Sequence, residues 1–163
     1  MRFIALILAV ALLTGLPRFL RADDDFVCLV TNAPDVAFVP PSPYESLETT
    51  SNAIFLFGTA DLWTVVNTRW QPLNGNKIPY FSQGYDAKED PDPRLQVVAR
   101  RLDKQVPLQW ADWANGGGVG WELKDNFLVT GVGQLDPGCW EISAHFNPSR
   151  EKIATLSFTV IVE

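Results

Sequence analysis

Three polar residues at alternate positions near the end of the chain resemble a nucleophile with its base. They are Glu141, Ser143 and His145, in the stretch "CWEISAHF". On a β-strand they would project from one face, with successive residues about 6.5 to 7 Å apart at the backbone. Catalysis would need a hydrogen-bonded nucleophile and base and a group that orients the base. Because no oxyanion hole is marked, we predict a solvated strand face, and a hydrolase using His145 is only a distant alternative.

The acidic loop 86–92 is the clearest candidate for a metal site. It holds four carboxylates: Asp86, Glu89, Asp90 and Asp92. Calcium takes six to eight oxygen ligands, but the spacing here is not that of an EF-hand, and we favour a solvated loop over a calcium site. A second acidic run, Asp23 to Asp25, lies near the start. Because the chain has a single histidine, we predict no transition metal and no cofactor.

Aromatic residues surround the glycine-rich stretch "QWADWANGGGVGW". The candidate ligand-binding residues there are Trp110, Asp112, Trp113, Asn115 and Trp121. Exposed indoles stack on sugar rings or on partner surfaces, and Asp112 and Asn115 could hydrogen-bond hydroxyl groups. We favour the alternative that one or two of the rings cap the core. The glycines lack the Gly-Lys-Ser/Thr ending of a phosphate loop, so no nucleotide site is predicted.

The first 22 residues have the pattern of a signal peptide. Arg2 precedes an apolar run from Phe3 to Leu13, and Ala22 marks the expected cleavage site. The prediction is therefore a signal peptide over 1–22 and one domain over 23–163, secreted, periplasmic or in the cell envelope. The alternative is a retained N-terminal anchor.

The charge of the mature chain restricts its partners. Residues 23–163 carry ten basic and 19 acidic residues, a net charge of −9. Nucleic acid and anionic lipid both need a basic surface, so neither is an expected partner. The expected partner is an unknown protein or a glycan, with no membrane contact after cleavage.

Short apolar runs rich in β-branched and aromatic residues predict strands, and no long amphipathic helix is apparent. We place strands near 26–31, 53–57, 62–66, 94–103, 106–110, 126–132, 138–146 and 153–162, and assign "PLNGNKIP" (72–79) to a turn. The predicted fold is all-β, an immunoglobulin-like antiparallel sandwich of about seven to eight strands with one disulfide. Two cysteines in an exported chain predict the bridge Cys28–Cys139; free redox thiols are disfavoured because no CxxC is present.

The stretch "DPGCWEISAHF" predicts which way Cys139 faces. Trp140 and Ile142 fall on an apolar strand face and belong to the core, as does Phe158 in the last strand. Cys139 must then face outward, and the bridge should hold the Cys28 segment along the outside or edge of the sheet. The spacing from Asp136 to Ile142 also matches the tyrosine corner of immunoglobulin domains, with Trp140 in place of the tyrosine.

Five blocks resemble a group of small, uncharacterised exported bacterial proteins. The blocks are "CLVTNAP", "ADLWTVV", "LQVVARRLD", "PGCWEISA" and "ATLSFTVIV", in this order over nearly the whole mature chain. The resemblance implies an exported immunoglobulin-like domain with a Cys28–Cys139 bridge and implies no activity. We therefore expect a non-enzymatic binding or structural module. The first alternative is a carbohydrate-binding module that uses the Trp110–Trp121 loop.

Overall fold

The computed structural model describes residues 26–42, 44, 54–71, 76–87, 89–90, 93–111, 115–116, 127–149 and 152–163. Within these residues no helix is present, hence none that is long and apolar enough to cross a membrane. The described strands are β1 (Ile54–Thr59), β2 (Leu62–Asn67), β3 (Arg69–Trp70), β4 (Asn76–Phe81), β5 (Leu95–Arg101), β6 (Gln109–Ala111), β7 (Asn115–Gly116), β8 (Leu128–Val132), β9 (Gly138–Ser149) and β10 (Lys152–Val162).

The strands form two sheets. The first sheet has the order β1-β2-β4-β8-β7 and the second has the order β3-β10-β9-β5-β6. All described pairs are antiparallel except β3 with β10, and the chain changes sheets between β2 and β3 through the single residue Thr68. Strands β2 and β8 of the first sheet contact β10 and β5 of the second, and side chains from both sheets form one core cluster, so the two sheets pack face to face as a sandwich. The predicted all-β sandwich with one disulfide is confirmed.

Two details of the strand prediction are wrong. The segment 26–31 is not a strand in the structure, although it runs beside one. The stretch assigned to a turn contains most of β4, which pairs with β2 and β8 in the middle of the first sheet. Pro79 was a reason to expect a turn, but its carbonyl accepts a hydrogen bond from Thr64 Oγ1 at 2.6 Å. A side chain therefore supplies a link between β2 and β4 beyond their short backbone pairing.

The core lies between the sheets and follows the two-residue period of the strands. Trp140, Ile142 and Phe158 lie in it, and Phe158 is directly opposite Ile142 across β9 and β10. Trp140 is only 3% exposed. Burial of an indole of this size contributes up to about 4 to 6 kcal/mol by area.

A second apolar cluster covers the opposite face of the first sheet. Trp63 stacks on Phe81 with ring centroids 5.7 Å apart, and Tyr44 and Phe38 pack on Trp63 at 5.5 and 5.9 Å. Phe38 and Tyr44 come from the proline-rich segment before β1. That segment therefore shields one outer face of the sandwich.

Candidate functional site

The disulfide joins an N-terminal segment to β9. Cys28 and Cys139 are bonded, with their Cα atoms 5.6 Å apart. Cys139 lies on the face of β9 opposite to Trp140, but it is only 3% exposed, on the side to which Cys28 is bonded. Farther along, the N–H of Thr31 donates to the carbonyl of Thr159 at 3.0 Å, and Oγ1 of Thr31 accepts from the N–H of Thr159 at 2.8 Å. We call residues 26–31 the strap.

The turn before β9 has the hydrogen bond that defines a tyrosine corner, made here by tryptophan. Nε1 of Trp140 donates to the carbonyl of Asp136 at 2.9 Å. The guanidinium of Arg101 lies over the indole, 5.6 Å from the ring centroid, and donates to the carbonyl of Pro137. Gly138 has φ = +151°, and a Cβ at this position would overlap the Arg101 side chain. The turn therefore needs glycine for both its backbone conformation and its contacts.

Arg101 and Asp103 form the most buried of the described ion pairs. Their side chains are 5% and 23% exposed, and Nε of Arg101 lies 2.7 Å from Oδ1 of Asp103. This hydrogen bond is the main cause that lowers the pKa of Asp103 and raises that of Arg101. Nearby, Arg100 pairs with Glu141 at 2.8 Å, and the N–H of Leu102 donates to the carbonyl of Cys139 at 2.8 Å. The "RRLD" and "GCWE" motifs therefore contact each other and hold the corner together.

The three polar residues on β9 make separate contacts. Ser143 Oγ lies 3.1 Å from Ser157 Oγ, and Glu141 pairs with Arg100. His145 is exposed on the same face, and no described hydrogen bond joins it to Ser143 or Glu141. The face offers hydroxyls and an imidazole to solvent, which is the arrangement of a solvated strand surface.

The acidic loop is only partly described. The N–H groups of Glu89 and Asp90 both donate to the carbonyl of Asp86, at 3.1 and 2.9 Å, so the backbone forms a turn there. Asp92 and Asp23 to Asp25 lie outside the described residues. In the part of the chain that the structure describes, no group of three or more His, Cys, Asp or Glu residues could hold a metal ion.

The tryptophan loop is divided between the two sheets. Trp110 lies on β6, at the edge of the described second sheet, and 63% of it is exposed. Asn115 begins β7 in the first sheet, where its backbone pairs with Val129. Asp112, Trp113 and Trp121 lie outside the described residues, so the structure does not test whether their side chains meet Trp110.

Sequence reasoning missed two apolar neighbours of Trp110. Val106 is 40% exposed and Leu108 is 55% exposed. We call Val106, Leu108 and Trp110 the apolar ridge. Alternation in "VPLQW" predicts a half-buried strand. In the structure β6 begins only at Gln109, so Val106 and Leu108 precede the residues that pair with β5. A cavity of about 630 Å³ adjoins the ridge, lined by residues 100–108.

Comparisons with known proteins identify no family. No family model matches the chain, and no curated protein matches it. Among solved structures, a chain described as "a Putative Lipoprotein from Bacillus anthracis" is 14% identical, with a TM-score of 0.40 over 71% of this chain and 82% of that chain. Similarity at this level carries no argument about location or function, and the resemblance to the exported group stays a prediction.

Proposed function

We propose that the protein is an exported, non-enzymatic binding module, and that the apolar ridge is its contact surface. The observation that carries the proposal is a contrast among the tryptophans. Trp63, Trp70 and Trp140 are all less than 9% exposed, whereas 63% of Trp110 is exposed. Tryptophan is enriched at binding hot spots, and apolar side chains grouped on a surface mark interaction sites.

Charge and shape near the ridge support contact with another protein. Lys104 lines the cavity beside Val106 and Leu108 and has no described ion-pair partner, whereas Arg100 and Arg101 are paired with carboxylates. A partner that presents an apolar side chain to the ridge and a carboxylate to Lys104 would complement both. The disulfide supports a location outside the reducing cytoplasm, which agrees with the predicted signal peptide.

Site-specific crosslinking tests the proposal. A benzophenone amino acid is placed at position 110, with position 153 as the matched control because Ile153 is 65% exposed but lies outside the ridge. We expect a discrete adduct from position 110 in the cells that make the protein, and a several-fold weaker adduct when Leu108→Ser is added. Equal adducts from both positions, or none, would refute the ridge as a contact surface.

A glycan is the second candidate ligand, because the row of residues across the sheet from Trp110 carries two hydroxyl groups and no charge. Across the second sheet, Trp110 lies opposite Val98, then Ser143, then Ser157. A sugar stacked on the indole would meet the two serine hydroxyls along this row. A glycan array separates the candidates: a glycan bound by the wild type and by Ile153→Ala, but not by Trp110→Ala, would favour carbohydrate binding.

A further inference from the structure

The outer edge of β10 is hydrogen-bonded along only part of its length. The N–H groups of Glu163 and Ile161 donate to the carbonyls of Trp70 and Thr68, at 2.9 and 3.0 Å. Thr159 exchanges hydrogen bonds with Thr31 of the strap. Three alternate residues near the end of the strand therefore use this edge, while the other edge of β10 pairs with β9.

The next two alternate residues have no backbone partner on this edge among the residues that the structure describes. Along a strand, the N–H and C=O of one residue point to the same side, and those of its neighbours point to the other side. Because the backbone N–H and C=O of Thr159 point to the outer edge of β10, those of Ser157 and Thr155 point there too. Within the described residues, neither has a backbone partner there, because β3 pairs only with Ile161 and Val162 and the backbone hydrogen bonds from the strap to β10 end at Thr31.

The open edge faces an apolar groove. The groove has a volume of about 700 Å³, within the usual range of ligand sites, roughly 300 to 1,000 Å³. It is lined by residues 155–157 of β10, by residues 57–59 of β1 and by the segment 34–39. Val36 and Val39 on that segment are 85% and 71% exposed, so their apolar side chains are accessible to a partner beside the groove.

We propose that this groove binds an extended basic peptide segment of another protein, which adds to β10 as a short strand. Unpaired N–H and C=O groups at a sheet edge are the groups that strand addition recognises. The site is continuous with the edge that the strap and β3 already occupy.

The charge of the occupant follows from the surroundings. None of the residues that line the groove is charged, Asp35 lies in the wall segment, and the mature chain has a net charge of −9. A basic segment would be attracted by this field, and its apolar side chains would enter the groove. A peptide segment of about four residues is long enough to pair with both Thr155 and Ser157, since an extended strand rises roughly 3.3 Å per residue.

Hydrogen exchange gives the first test. In the free protein, the amides of Thr155 and Ser157 should exchange at nearly unprotected rates, while those of Thr159 and Ile161 are protected. Peptides are then selected from a phage-displayed library of random linear heptapeptides on the purified protein. A selected peptide should slow exchange at positions 155 and 157 by roughly tenfold or more. Protection of both amides in the free protein would overturn the proposal.

Matched variants give the second test. Ser157→Pro removes the N–H that points to the outer edge but leaves the hydrogen bonds with β9 in place, and a strand tolerates proline at such an edge position. Ser157→Ala keeps the N–H. We expect Ser157→Pro to weaken peptide binding at least roughly fivefold and Ser157→Ala to change it less than about twofold. Thr155→Pro serves as the second variant if Ser157→Pro does not fold.

Three further outcomes would also contradict the proposal. One is that the library yields no binding peptide, and another is that the selected peptides bind the proline and alanine variants equally. The third is a dimer of the wild type that Ser157→Pro dissociates, because the occupant would then be a second copy of this chain.

Discussion

Removal of the disulfide should destabilise the protein strongly, because the bridge closes a long loop. Cys28 and Cys139 are 111 residues apart in sequence. In the chain-entropy model, closing a loop of this length lowers the conformational entropy of the unfolded state by about 16 cal/mol/K, which destabilises that state by about 4.8 kcal/mol at 25 °C. For a domain of this size, each kcal/mol lowers Tm by about 2 to 4 °C, so we expect the double variant Cys28→Ala/Cys139→Ala to melt about 10 to 19 °C lower.

The assay is thermal and urea unfolding, followed by circular dichroism. Thr31→Val is the matched control, since it removes the side-chain hydrogen bond of the strap but keeps the bridge, and it should cost only about 1 kcal/mol. The double variant should also have a larger m-value, because its unfolded chain exposes more surface. A Tm loss no greater than that of Thr31→Val would refute the entropic argument and assign the strap's stability to its local contacts.

Three further predictions concern the corner and the polar face. Asp103→Asn should make stability depend less on pH in acid. The pKa of Asp103 is lower in the folded state than in the unfolded state, where it is about 3.9, so the carboxylate adds stability above the unfolded pKa and this stability is lost as the pH falls through the folded pKa. Urea midpoints measured from pH 2 to 7 would show the difference. Gly138→Ala should cost about 1 to 3 kcal/mol in urea unfolding, because φ is +151° and the new methyl group overlaps Arg101; an unchanged midpoint would contradict this. His145→Ala should change stability by less than about 0.5 kcal/mol and leave any measurable property of the protein intact; loss of an activity would overturn the non-enzymatic proposal.

The parts of the fold that were predictable are those set by strand alternation. The apolar face of Trp140 and Ile142 specified the core side of β9, and the same argument placed Cys139 outward. The corner bond of Trp140 also followed from the spacing to Asp136. These inferences succeeded because a two-residue period assigns both faces of a strand from local sequence alone.

The parts that were missed depend on contacts distant in sequence. The turn formers Asn74, Gly75 and Pro79 predict a turn at β4, yet pairing with β8 and the hydrogen bond from Thr64 hold it as a strand. The exposure of Trp110 depends on its position in an edge strand, which no local pattern reveals. The open edge of β10 likewise depends on how far β3 extends, a property of the assembled sheet.

The bridge also determines how the domain would bear a mechanical load. A force applied to the chain before Cys28 and to Glu163 would pass through the sulfur atoms directly into β9. Strands β1 to β8 would lie inside a covalent loop, so the chain between the two cysteines could not be extended by the pull. Roughly 370 to 400 Å of backbone would thus stay unextended while the bond is intact, and reduction would make that length available to the pull.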